Sequence, residues 1–158
     1  MRESSRGDRH AAETPTGDDV VALLTVHLTF ARATSPSCHV HALDLDGLLA
    51  PDITFFTARR GDELLGVGAL KSLGDDVGEL KSMHTLASAR GGGVGAAMVE
   101  RLLTTARDRG YSRVSLETGT QDEFAPARRL YARLGFAPCE PFGDYTENPY
   151  STCMAIDL

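Results

Sequence analysis

Hydrophobic residues recur along this chain with two different periods. In "DDVVALLTVHLTFARA", Val21, Leu24, Leu28 and Ala31 fall on one face of a helix. Thr16 or Asp18 is placed to cap its start. "TSPS" ends that run, and "LDLDGLLAP" predicts a short second helix that stops at Pro51. After Pro51 the period changes. "DITFFTARRGDELLGVGALKSLGDDVGELKSMHTL" is rich in β-branched, aromatic and leucine residues, and "RRGDE" and "GDDVG" cut it with turn signals. Three antiparallel strands are expected near 53–59, 63–72 and 78–85.

The helical period then returns. Val99, Leu102, Leu103 and Ala106 repeat at helix spacing, with Gly110 where a C-terminal cap belongs. "YSRVSLETG" alternates Val114, Leu116 and Thr118 against Arg113, Ser115 and Glu117, and reads as a strand. Ala127, Leu130, Tyr131 and Leu134 share a helical face between Pro126 and Gly135. "YSTCMAIDL" alternates again and forms a last strand. Helices, a β-meander, then helix, strand, helix and strand give an α/β chain, with a mixed sheet and helices on its faces.

At 158 residues this is one domain, expected over 15–158 behind a flexible tail at 1–14. The net charge of −6 disfavours a nucleic-acid partner. No apolar run is long enough for a membrane partner, and the N-terminus lacks the apolar core of a signal peptide. Cys38, Cys139 and Cys153 are too scattered for a disulfide framework or a zinc site, and read as reduced thiols of a cytoplasmic protein.

"ASARGGGVGAAM" concentrates backbone freedom between a strand and a helix. Amides at a helix start lack intrahelical partners and carry partial positive charge. Glycines let a ligand approach them, so the loop suits a phosphate. A dinucleotide fingerprint needs a third glycine where Met98 stands, and a Walker loop needs Gly-Lys-Ser/Thr. What remains is Arg90-x-x-Gly93-x-Gly95.

That pattern resembles the cofactor motif of the GNAT superfamily of acyl-CoA-dependent N-acyltransferases. "LYARLGF" resembles the family's second signature. "HALDLDGL", "ELKSMHT", "SLETG", "FAPARRLY" and "GDYTENPYS" are similar to a bacterial subgroup of N-acetyltransferases. The resemblance covers about residues 18–158 and implies a GNAT fold, with about six to seven mostly antiparallel strands. It implies acetyl-CoA as co-substrate, no metal, a small-molecule amine acceptor, and a monomer or homodimer. Transfer is direct, in a ternary complex. The fourth strand is expected to bulge, splay from the fifth and lie along the pantetheine.

By that resemblance the cofactor contacts are Met83, His84, Thr85, Arg90, Gly91, Gly92, Gly93, Val94, Gly95, Ala96, Phe124 and Ala127. Phe124 stands where many family members carry asparagine. Acceptor contacts fall on His39, His41, Asp144 and Tyr145. An alkylamine of pKa about 10 is roughly 0.1% neutral at pH 7, a handicap of about 4 kcal/mol, so a base is needed. Glu79 and Glu117 are the candidates, against a solvated strand end for Glu79 and an ion pair with Lys81 or Arg113 for Glu117. Tyr131, a phenol that stays protonated at neutral pH, suits the acid, and also fits the helix's apolar face. A non-catalytic acetyl-CoA-binding module is the alternative.

Overall fold

The computed structural model describes residues 8–34, 45–143 and 145–158. Seven strands are β1 (Asp8–Ala12), β2 (Ile53–Arg60), β3 (Glu63–Gly74), β4 (Val77–Thr85), β5 (Arg113–Gly119), β6 (Ala137–Cys139) and β7 (Ser151–Asp157). The helices are α1 (Asp18–Thr34), α2 (Leu45–Leu48), α3 (Val94–Asp108) and α4 (Ala125–Arg133). The strands form one sheet in the order β1-β2-β3-β4-β5-β7-β6. Every pairing is antiparallel except β4 with β5. The meander and the α/β character match the expectation from the pattern.

Two apolar clusters sandwich the sheet. α1 and α2 bury Val20, Leu23, Leu24 and Leu48 with Phe55, Leu64 and Val67. On the other side α3 buries Met98, Val99, Leu102, Leu103 and Ala106 with Phe56, Leu80, Leu116, Tyr131 and Phe136. Adjacent Phe55 and Phe56 enter opposite clusters, as the strand's two-residue period requires.

Three expectations need correction. The face of α1 that meets the sheet is Val20, Leu23 and Leu24, while Val21 and Leu28 are only half-buried. Gly17 accepts the first helical hydrogen bond from Val21 at 2.9 Å, so the cap is one residue away from either Thr16 or Asp18. Finally, the supposed loose tail contains β1. "DRHAA" has no apolar alternation to betray it. Pairing with β2 and an ion pair between Arg60 and Asp8 at 2.9 Å place it on the sheet edge.

Candidate active site

The glycine loop is built by backbone conformation. Gly91 and Gly93 both sit at φ +84°, in the left-handed region where a β-carbon is disfavoured. Gly93 is the residue before α3, and its carbonyl takes the first helical bond from Ala97 at 3.0 Å. The amides of Val94, Gly95 and Ala96 therefore lie ahead of the helical ladder. No heavy atom lies within 4 Å of where a β-carbon would stand at Gly91 or Gly93. Open space above uncommitted amides fits a phosphate-bearing ligand. Arg90 is exposed and donates from Nε to the Thr85 carbonyl at 3.3 Å.

β4 and β5 part beyond their first four pairs. The parallel register runs from Val77–Arg113 to Leu80–Leu116 and stops. On its other edge β4 carries a register shift against β3 between Val67 and Ala69. There Ser82 takes φ +56°, a conformation that strains a residue with a side chain. Gly68 lies across this bulge, and a β-carbon there would stand 2.7 Å from Met83 Sδ. The bulge and the open seam are the two distortions the family resemblance implies for this strand.

A cleft of about 130 Å³ opens along the seam. Glu79, Lys81, Ser82 and Met83 of β4, Glu117 of β5, Tyr131 and Ala127 of α4, and Tyr145 all line it. Glu79 is 3% exposed, not a solvated strand end. Its Oε2 accepts from the Tyr145 hydroxyl at 2.5 Å and from Lys81 Nζ at 3.2 Å, and Lys81 also donates to the Tyr145 oxygen at 2.8 Å. A buried ion pair contributes little net stability, because desolvation offsets its attraction. Its presence in a cleft points to function. Burial, followed by the Glu79 charge, pushes the Tyr145 phenol far above its usual range. Tyr131 is buried against Phe136, and that burial pushes its hydroxyl up to about 12.

The structure brings Glu79, Glu117, Tyr131, Tyr145, Met83, Phe124 and Ala127 together at one cleft. Thr85 sits 3.6 Å from a notional Gly95 β-carbon, linking the end of β4 to the loop. His84 does not line the cleft itself but meets His27, which does. Its Nδ1 is 3.1 Å from His27 Nδ1, its ring packs near Phe30, and its Nε2 is buried with no partner. Lys81 pairs with Glu79, and Arg113 with Asp157 at 2.9 Å. His39, His41 and Asp144 lie outside the described residues. Sequence reasoning missed Lys81, Ser82 and His27 as cleft residues. Lys81 carried a signal, since it shares a strand face with Glu79. His27 carried none, because only the crossing of α1 over β4 brings it there.

The model of the acetyltransferase (GNAT) family matches residues 20–136. This chain belongs to the GNAT acetyltransferase family. The uncharacterized N-acetyltransferase YsnE of Bacillus subtilis (strain 168) is 48% identical over 143 residues, covering 90% of this chain and 95% of that protein. The IAA acetyltransferase of Azospirillum brasilense is 38% identical over 149 residues, covering 94% and 96%. Among solved structures, a Bacillus subtilis acetyltransferase in complex with CoA superposes with a TM-score of 0.72 at 22% identity, over 96% of this chain and 99% of that one. The GNAT protein is an acyl-CoA acyltransferase carrying out acetyl-CoA-dependent acetylation. Among its described residues no helix is long and apolar enough to cross a membrane, and no group of three or more His, Cys, Asp or Glu is placed to hold a metal ion.

Proposed function

We propose that this enzyme acetylates the amine of a small-molecule acceptor at the seam between β4 and β5. One observation carries the reading: two glutamates, three tyrosines and a lysine converge on a cleft beside the strand edge that β5 leaves unpaired. Acetyl-CoA supplies an activated acyl carbon and a thiolate leaving group. The amides of Val94, Gly95 and Ala96, with Gly91 to Gly93, cradle its pyrophosphate, and Arg90 adds charge nearby. Main-chain groups of Met83 and Thr85 hold the pantetheine along the open edge of β4, and Phe124 and Ala127 form the opposing wall. A backbone amide on this edge polarises the thioester carbonyl.

Tyr131 keeps its proton well past neutral pH and gives it to the departing sulfur. Two routes take the acceptor's proton. Glu117 receives it directly or through one water. Glu79 receives it through Tyr145, whose hydroxyl already points at the carboxylate. Tyr145 and the acidic pair then select a cationic acceptor; His39, His41 and Asp144 are the remaining candidates on that side.

The test is release of free CoA thiol from acetyl-CoA across a panel of small amines, each matched with its hydroxyl analogue. At least one amine is expected to drive thiol release while its alcohol does not. Turnover with alcohols or thiols and with no amine overturns the acceptor assignment.

A further inference from the structure

A second hollow, of about 380 Å³, shares no lining residue with the seam cleft, and both described cysteines line it. Cys139 is the last residue of β6, and Cys153 stands directly opposite it on β7. Opposed residues of an antiparallel pair present their side chains on one face, with Cα atoms about 4.5–5.5 Å apart. That lies within the span of about 4.4–6.8 Å that a disulfide bridges. Both thiols are free here.

Their position gives the pair a consequence. β6 and β7 are joined by the connection that carries Tyr145 onto Glu79 and Lys81, and the two cysteines form its foot. On its other edge Cys153 stands opposite Glu117 of β5. Glu117, Cys153 and Cys139 therefore make one row across three strands, from the cleft to the foot of the Tyr145 connection. β6 is held by only three register pairs, Ala137–Ala155, Pro138–Met154 and Cys139–Cys153, and Pro138 donates no hydrogen bond. β6 is therefore a weakly held edge strand at the foot of the Tyr145 connection.

We propose that Cys139 and Cys153 are a redox pair, oxidised to a disulfide by hydrogen peroxide entering this hollow, and that the bond restrains Tyr145 and slows acceptor turnover. Cys139, the more exposed thiol, reacts first. Its sulfur attacks the peroxide, the O–O bond breaks, water leaves with the thiol's proton, and a sulfenic acid remains. Cys153 sulfur then attacks that sulfur; the S–S bond forms, the S–O bond breaks and a second water leaves. Two thiols lose two electrons and two protons, and one hydrogen peroxide becomes two waters. Burial pushes the Cys153 thiol up to about 11, which leaves Cys139 as the thiol that meets the peroxide.

The effect on turnover rests on the acceptor reading; the bond itself does not. The folded protein is treated with hydrogen peroxide, alkylated and digested, and the Cys139–Cys153 peptides are sought by mass spectrometry. A linked pair lighter by two hydrogens, restored by dithiothreitol and lost in Cys139→Ser, is expected. Cys139 is partly exposed, so that variant keeps its fold; Cys153→Ala gives a second variant from the buried side. Links through Cys38, or oxidation of Cys139 to the sulfinic acid with Cys153 untouched, overturn the pair. With an amine from the panel, kcat/KM is expected to fall at least threefold on oxidation and recover on reduction, with acetyl-CoA affinity unchanged. A linked protein with unaltered kinetics overturns the restraint on Tyr145.

Discussion

The two halves of the site are made of different material. The proposed cofactor loop is backbone: left-handed Gly91 and Gly93, and amides at the start of α3. The proposed acceptor cleft is side chain: Glu79, Lys81, Glu117, Tyr131 and Tyr145, brought from β4, β5, α4 and the β6–β7 connection. A pyrophosphate is the same in every acyl-CoA, so a loop that reads only charge and shape suffices. An acceptor varies, and side chains can be exchanged without disturbing the fold. The division predicts that damage to one half leaves the other half's binding intact.

The largest expected effect falls on the side-chain half. Glu79→Gln and Glu117→Gln keep shape and remove proton acceptance, and loss of a general base costs about 10²–10⁴-fold in rate. At least one variant should show that loss near neutral pH, shrinking as the pH rises and the amine loses its proton unaided. pH–rate profiles of both variants decide the matter. A defect constant from neutral to alkaline pH marks a positioning residue, and two such profiles remove both glutamates from the proton route. Acetyl-CoA affinity should change in neither variant.

A crossed pair of substitutions tests the division next. Gly93→Val puts a branched side chain at φ +84° and into the open space the pyrophosphate would fill, so affinity for acetyl-CoA should fall by about 10–100-fold. Tyr131→Phe should leave that affinity alone and lower turnover by a similar factor. Calorimetry and steady-state kinetics on both variants separate the halves. Equal affinity in Gly93→Val breaks the assignment of the loop. Unchanged turnover with lowered stability in Tyr131→Phe would make that ring core packing alone.

What the sequence disclosed follows the same division. Left-handed backbone favours glycine, so "RGGGVG" announced its own geometry, and the periods of β2 to β5 and α3 announced the scaffold. The acceptor cleft depends on contacts between distant segments. Glu79 looked like a strand-end charge, yet the Tyr145 connection buries it. β1 and β6 escaped notice because "DRHAA" and "APC" carry no alternation, and sheet pairing rather than propensity makes them strands.

His27 joins the cleft side to α1, and its chemistry is pH-dependent. Burial first, then the neighbouring His84, lowers its pKa from 6.5 to about 4. Burial and then the Arg90 charge lower that of His84 as well. Both rings fold neutral, so the unfolded chain binds more protons between those values. Stability is fully present above about pH 6.5 and is lost as the pH falls from there through about 4. Between pH 7.5 and pH 5 the His27 share should be on the order of 2 kcal/mol. Denaturant unfolding at pH 7.5 and pH 5 should show the drop, and His27→Phe should flatten it. An unchanged slope in that variant places the titration elsewhere.

The smallest effect separates neighbours inside the loop. Gly91 and Gly92 look equivalent in sequence, but only Gly91 is left-handed. A β-carbon at Gly91 meets nothing within 4 Å, so Gly91→Ala costs only the left-handed conformation, about 1–2 kcal/mol. At Gly92 a β-carbon would lie 3.5 Å from the Ala89 carbonyl, an ordinary contact. Gly92→Ala should therefore be neutral, or gain about 0.4–1 kcal/mol because alanine restricts the unfolded chain. For a chain this long, 1 kcal/mol moves the melting temperature by about 2–4 °C. Thermal unfolding without ligand should therefore lower Gly91→Ala by a few degrees and leave Gly92→Ala at or above the parent. Equal melting temperatures would mean the loop relaxes around either side chain. The cradle would then owe its shape to bound acetyl-CoA rather than to left-handed glycine, and the contrast between a preformed backbone half and an assembled side-chain half would fail at its first term.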